Sequence, residues 1–408
     1  MGSTISRLPW RAAGIGLLLL MLISGIIYSV MLPTQARFPD EAEYLHLAGH
    51  LVRGPGFSMD GVHLTAMRPP GYPFFLAVIE TLGGGVVAVR IAQYLFFAGT
   101  VLLVWWICRR RVPTANLLIV TGVVMLYPVL FYTCATLYPQ TLAGFLFILS
   151  LALLLATPRG ILLNLATGLT YGALMLVVPT FALTLIVILA VAWLLKIIRW
   201  HEAIPILFGA SLLVGIWTAR NEIVFHRLVP FASNSGENLL IGNCENTIPY
   251  GGSGNIDRTR YADEAHARGL NEFDEDHFYQ QAAIAWIKQN PGHAFILYLE
   301  KTANYFNVYN AYAPGTNAEV SPWKRAVMGI TYIILIGLLV WRLAEWKRFP
   351  LDAHEKFLLA VYILSAFTMA IFVTRIRYRL PYDYLVITVV AAHLSRRLLP
   401  SSAPTKST

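Results

Sequence analysis

Uncharged apolar blocks long enough to cross a bilayer recur along this chain, and they constrain its fold more than any other feature. They lie near residues 13–32, 86–107, 115–132, 136–156, 161–178, 180–198, 203–219, 325–342, 355–373 and 381–396. Roughly 20 apolar residues, at 1.5 Å rise each, match the hydrocarbon thickness of a membrane. Hydrocarbon offers no partner to backbone N–H and C=O groups, so only helices and closed barrels span it. These blocks are continuous and do not alternate in polarity, which points to helices. Composition agrees, with 57% hydrophobic and 13% charged residues, against about 25% charged in a soluble domain. The expectation is an all-α integral membrane protein with about ten spans. Arg7 and Arg11 before the first block resemble the n-region of a signal peptide. The block is long for such a segment and no small-x-small site follows, so it is expected to remain as a span. The weakest boundary is Val178-Pro179-Thr180, because proline either ends a helix or kinks it.

Charge gives sidedness. The net charge of +9 invites a nucleic-acid reading. Against it, the Lys and Arg residues sit at the ends of apolar blocks and form no aromatic-interleaved patch. With the N-terminus in the cytoplasm, fifteen of the 31 basic residues fall inside with four of the 22 acidic ones (Glu202, Glu345, Asp352 and Glu355). The inner set includes Arg109-Arg110-Arg111, Arg159, Lys196, Arg199, Arg342, Arg396 and Arg397. This bias follows the positive-inside rule. It places both termini in the cytoplasm, with 397–408 as an inner tail, and suggests a bacterial inner membrane. The whole chain, 1–408, then reads as one transmembrane domain with two outward regions, 33–85 and 220–324. Gly71 to Leu82 is too short to span and is expected to lie in the interface. The second region should open with turns from Asn234 to Asn255. An amphipathic helix over about 258–289 should follow, then a break at Pro291-Gly292 and a helix over about 293–307. Cys108, Cys134 and Cys244 are too few and too scattered for a disulfide framework or a thiolate metal site.

The first outer region begins Phe38-Pro39-Asp40-Glu41-Ala42-Glu43-Tyr44 and continues to Arg68-Pro69-Pro70-Gly71-Tyr72-Pro73. An acidic pair directly after the first span, then a basic residue before Pro-Pro at a juxtamembrane helix, resembles the GT-C membrane glycosyltransferases. The likeness is to the branch with protein O-mannosyltransferases, bacterial lipid A aminoarabinose transferases and rhizobial lipopolysaccharide galacturonosyltransferases. Weaker echoes are Arg220-Asn221, Asn238-Leu239-Leu240-Ile241-Gly242-Asn243 and Arg377-Tyr378-Arg379-Leu380-Pro381. The resemblance covers most of the chain. It implies a GT-C fold and transfer of a hexosyl or pentosyl group from a polyprenyl-phosphate donor. The acceptor would be a cell-envelope glycan, glycolipid or protein hydroxyl at the extracytoplasmic face. It also implies Asp40 as the catalytic carboxylate, with Glu41 next in line.

The chemistry fits those residue types. An acceptor hydroxyl must lose a proton as it attacks the anomeric carbon, and a carboxylate within hydrogen-bond reach can take it. Desolvation at the membrane surface would raise that carboxyl's pKa toward working pH. The plainer reading makes Asp40 a helix cap, and Glu41 or Glu43 a favourable first-turn acid. A phosphate leaving group is best met by arginine's planar fork. Arg68, Arg375, Arg377 and Arg379 are the candidates. The last three break the charge rule at the outer end of the ninth span, and Arg375 and Arg379 would share a face of a helix. Their plainer role is contact with anionic headgroups of membrane lipids. Tyr44, Tyr72, Tyr378, Tyr382 and Tyr384 either line the substrate site or belong to interfacial aromatic belts. Where some relatives carry acids, this chain has Met67 and the stretch Tyr138-Pro139-Gln140. A two-carboxylate site is therefore not supported, and Glu41 or Asp60 is where a second acid would be sought. Glu43, His46 and His50 share a helix face, with His63 nearby; Glu43 and His46 are weak candidates for a divalent cation such as Mg or Mn. Family members differ on metal use. The alternative function is a transporter or flippase of a lipid-linked or polar solute. That reading calls for ionisable residues at mid-span and two related halves, and neither is evident.

Overall fold

Proline and glycine punctuate the apolar pattern, and the helices start and stop at them. The computed structural model describes residues 8–249, 260–308 and 322–398. The helices are α1 (Leu8–Met31), α2 (Pro39–Arg53), α3 (Gly71–Thr81), α4 (Val86–Arg111), α5 (Leu117–Met125) and α6 (Pro128–Cys134). There follow α7 (Gln140–Leu155), α8 (Ile161–Val177), α9 (Phe181–Leu194), α10 (Ala203–Phe225), α11 (Ser235–Gly242) and α12 (Arg260–Ala267). The last are α13 (Glu272–Gln289), α14 (Pro291–Tyr305), α15 (Pro322–Ala344), α16 (Ala353–Met369) and α17 (Ile376–Leu398). Among the described residues there is no strand, only one isolated bridge between Ser58 and Leu64.

Each expected span falls on a helix, with one correction. The block 115–132 is not one rod but α5 and α6, bent by 80° at Leu126-Tyr127. Pro128 has no N–H to continue α5 and opens a new helix at its first turn. Likewise α8 ends at Val177 and α9 begins at Phe181, so Pro179 marks a true break. Among the described residues four helices are long and apolar enough to cross a membrane alone, or five if the bent pair is one span. Helices α7, α8 and α9 are apolar but shorter. Large apolar side chains on α1, α10 and α15 face outward, among them Ile23, Ile216 and Ile333. Lipid tails are as apolar as leucine, so helices in lipid associate through close packing. The α8–α10 pair shows this. A Cβ on Gly168 would collide with the Ile206 carbonyl, and one on Gly172 would lie 2.7 Å from the Ala210 carbonyl.

The second outer region also departs from expectation. The helix expected over 258–289 is split into α12 and α13 by a turn at Gly269, whose φ is +61°. Asn271 then caps α13, its side-chain oxygen accepting from Phe273 and Asp274 N–H at 3.1 Å. Within the expected turn region, 235–242 forms α11. Residues 250–259, 309–321 and the tail 399–408 lie outside the described residues. Helix α17 is buried along nearly its whole length, against α4, α5, α7, α15 and α16. Its N-terminal end carries Arg377 and Arg379.

Candidate active site

Helix α2 starts at Pro39, whose missing N–H costs nothing in the first turn. Two neighbouring acids follow, and helical geometry sends them apart. Glu41 is fully buried. Its carboxylate accepts from Arg37 N–H at 2.6 Å and from Leu137 N–H at 2.8 Å. Both oxygens are spent on backbone, tying the start of α2 to the chain between α6 and α7. The structure therefore gives Glu41 a bracing task, and the catalytic role expected for it has no geometric support.

Asp40 faces the other way and caps nothing. Its Oδ1 accepts from Arg68 Nη2 at 3.2 Å, and its Oδ2 from Arg377 Nη1 at 3.0 Å. Residues from the first turn of α2, the loop before α3 and the first turn of α17 thus meet at one point. Arg68 also donates from Nε to Glu43 at 2.6 Å. Arg377 donates to the Tyr378 hydroxyl at 3.1 Å and lies 4.4 Å above the Tyr138 ring. Tyr138 borders Asp40 as well. Asp40 stays 17% exposed and Arg68 19%, so the cluster is reachable from solvent.

Burial alone would raise the Asp40 carboxyl, but Arg377 and Arg68 outweigh it and hold it below the ordinary carboxylate range. This corrects the expectation of a base lifted by desolvation. Tyr44 is buried beside this group, edge-on to Tyr72 at 5.2 Å, with Arg68 5.9 Å above its ring. Burial pushes its phenol up to about 12, so it remains neutral.

The remaining candidates divide. Arg375 precedes α17, so the face it was expected to share with Arg379 does not form; Asp40, Arg377 and Tyr378 are its charged or polar neighbours. Arg379 turns into the bundle and pairs with Asp383 at 3.2 Å, away from Asp40, so a phosphate-binding role for it is not supported. Tyr72 is buried, donating weakly to Gln93 at 3.4 Å. Tyr382 stacks on Phe181, and Tyr384 packs against Gly144. These three tyrosines are core, whereas Tyr378 is half-buried at the arginines. Asp60 is held by Ser58, His63 and two backbone N–H groups on the surface. Glu43 is committed to Arg68, and His46 is exposed. Among the described residues no group of three or more His, Cys, Asp or Glu could hold a metal ion. The residues proposed for a divalent cation therefore do not fit one.

Sequence reasoning missed Asp383 and placed Arg220 only as a weak echo. Asp383 sits inside an apolar block, where an acid needs a partner, and Arg379 four residues earlier was the available signal. Arg220 lies 4.9 Å over Trp217 and 5.0 Å over Phe225, and donates to the Thr65 carbonyl at 3.0 Å. It stands over a groove of about 480 Å³ lined by Leu51, Phe57, Pro70, Phe74, Ile216 and Trp217. Pro70 is two residues from Arg68. A second cavity, of about 460 Å³, opens between residues 59–67 and α13 and reaches Met67.

No protein-family model matches the sequence, and no curated protein does. Among solved structures, the chain is similar to ArnT from Cupriavidus metallidurans in the apo state. The identity is 13% and the TM-score 0.43, over 96% of this chain and 78% of that one. It is also similar to the same protein bound to undecaprenyl phosphate, at 11% identity and a TM-score of 0.39 over the same shares.

Proposed function

We propose that this chain is a GT-C-type membrane glycosyltransferase that uses a polyprenyl-phosphate sugar at the outer face of a bacterial inner membrane. The observation that carries the reading is Asp40 held between Arg68 and Arg377, arginines 28 and 337 residues away in sequence. A carboxylate set between two forked cations serves both halves of a transfer from a phosphate leaving group. Arg68 and Arg377, with Arg375 beside them, hold the donor phosphate. The isoprenoid chain takes the apolar groove that starts at Pro70, with Arg220 at its head. The acceptor oxygen attacks the anomeric carbon opposite the phosphate. The bond from that carbon to the phosphate oxygen breaks, and polyprenyl phosphate leaves with the electron pair. Asp40 takes the hydroxyl proton, and configuration inverts. In this reading the chain has ten spans and both termini inside, with this cluster on the outer side. The acceptor class is an envelope glycan, glycolipid or protein hydroxyl.

One observation favours a transporter as a second reading. The Arg379–Asp383 pair is an ionisable pair facing the bundle interior, where ion and solute pathways place such groups. The deciding experiment supplies radiolabelled polyprenyl-phosphate sugars and crude membrane lipid to purified protein in nanodiscs, wild type beside Asp40→Asn. Transfer by wild type and its loss in a folded Asp40→Asn variant support the transferase with Asp40 as base. Equal transfer by both removes Asp40 from the mechanism. Donor binding without turnover in wild type favours the transporter.

A further inference from the structure

Arg377 and Arg379 are two residues apart at the start of α17. At 3.6 residues per turn their side chains leave the helix about 200° apart. Arg377 points to Asp40, and Arg379 points into the bundle. Arg379 is enclosed there. Its Nε donates to Asp383 Oδ2 at 3.3 Å, and its Nη1 to the carbonyls of Tyr305 at 2.7 Å and Asn307 at 3.1 Å. Its Nη2 donates to the Tyr127 hydroxyl at 3.2 Å, and its guanidinium lies 3.6 Å from the centre of the Tyr332 ring. Asp383, fully buried one turn further on, accepts from the hydroxyls of Tyr127 at 2.9 Å and Tyr362 at 3.2 Å. Tyr362 and Tyr332 share a hydroxyl hydrogen bond of 2.8 Å.

This hub ties α17 to the α5–α6 break, the end of α14, and α15 and α16. Helix α14 also grips the segment leading into α17. Lys301 donates to the Phe372 carbonyl at 3.1 Å, and Asn304 to the Thr374 carbonyl at 3.2 Å. A buried ion pair is weak evidence for stability, because desolvation offsets its attraction. Fixing one orientation is a use that this cost does not cancel. A rotation of about 20° would carry a guanidinium ~8 Å from the helix axis through roughly 3 Å, more than a hydrogen bond tolerates.

We propose that Arg379 and Asp383 are positioning residues: they fix the rotation of α17 so that Arg377 meets Asp40, and they make the docking of α14 a condition of that alignment. The proposal rests on the glycosyltransferase reading for what Arg377 holds, but not for how it is aimed.

The test is a double-mutant cycle that needs no substrate. Thermal unfolding in detergent is measured for wild type, Asp40→Asn, Arg377→Gln and the pair, then for the same four on an Asp383→Asn background. The expected result is a non-additive cycle in the first set and additive effects in the second. Persisting coupling of the same size, with melting temperatures uniformly lowered, would overturn the proposal and leave the pair a simple brace. If Asp383→Asn does not fold, Tyr127→Phe removes one bond from each partner, and reduced coupling is expected on that background; unchanged coupling overturns the proposal. Undecaprenyl phosphate binding in nanodiscs provides a second readout. Asp383→Asn should weaken it by about tenfold, the worth of one charged hydrogen bond. It should weaken it no further once Arg377→Gln is present. Wild-type protein that binds no polyprenyl phosphate would sink the functional reading, while the unfolding cycle would still decide the positioning role.

Discussion

The two ends of α17 both carry arginines paired with acids, yet they are built for different work. At the C-terminal end Arg342 and Glu355 are almost inaccessible and bonded twice, at 3.1 and 2.8 Å. Arg342 also caps the Phe349 carbonyl at 2.8 Å, Arg396 adds a 3.0 Å bond to Glu355, and Arg397 reaches Glu345 at 2.9 Å. Its Arg342–Glu355 core is closed, while Arg396 and Arg397 stay 20% and 27% exposed. At the N-terminal end each Asp40 oxygen takes an N–H from a different arginine, at 3.2 and 3.0 Å. Asp40 is 17% exposed, against 6% for Glu355. A closed network serves as a clamp. An open one lets an incoming anion take over the arginines without dismantling the fold.

Variants at the two ends should therefore fail in opposite ways. The largest effect is expected at the N-terminal end, where Asp40→Asn lowers transfer by roughly 10²–10⁴-fold, the range for loss of a general base. Its melting temperature should fall only modestly, by the loss of its arginine bonds, and less than that of Arg342→Ala. At the C-terminal end Arg342→Ala removes two charged hydrogen bonds from the buried Glu355 carboxylate, which keeps Arg396, and should cost about 1.5–3 kcal/mol of stability. The KM for donor in its folded fraction should not move. Paired unfolding and initial-rate measurements check both. An Arg342→Ala protein that is stable but has lost donor affinity would erase the distinction between clamp and site.

A smaller effect separates the neighbouring acids of α2. Glu41→Gln keeps an acceptor for one backbone N–H but turns an amide N–H₂ toward the other. It should destabilise by about 1–3 kcal/mol, the cost of a spoiled buried hydrogen bond. Transfer per folded molecule should be unaffected, as a rate assay normalised to folded protein would show. Proportional loss of kcat would return Glu41 to the chemistry.

What could be read from the sequence followed the length scale of each signal. The apolar blocks set the helix positions because bilayer thickness fixes their length, and α1, α4, α10 and α15 fall where the pattern puts them. The α5–α6 bend was not visible, because Tyr127-Pro128 leaves the hydropathy of the block intact while breaking its hydrogen bonding. Asp40 and Arg68 stood out as local motifs. Their junction with Arg377 is tertiary, and no spacing encodes it. Arg379 was misplaced for the same reason: composition shows an arginine at the outer edge, but only packing shows that it faces α14 and Asp383 instead of Asp40.

The smallest expected effect is a shift in pH dependence. Arg68 and Arg377 keep the Asp40 carboxyl below its ordinary range despite burial. A carboxyl depressed on folding adds stability that is present above the unfolded value and lost as pH falls through the lower folded one. The melting difference between wild type and Asp40→Asn should therefore be flat from neutral pH down to about 5 and change only below about 4. The same depression makes Asp40 a feeble base while both arginines face it. A donor phosphate that draws those cations away removes the force holding its pKa down, and burial then lifts it. The acid limb of kcat/KM reports the free enzyme, and that of kcat reports the complex with substrate. The limb of kcat should lie at higher pH than that of kcat/KM, and Arg377→Gln should bring the two closer by raising the limb of kcat/KM. Coincident limbs in wild type would mean that the arginines stay on Asp40 throughout turnover, which would make the N-terminal end of α17 a clamp like the C-terminal one.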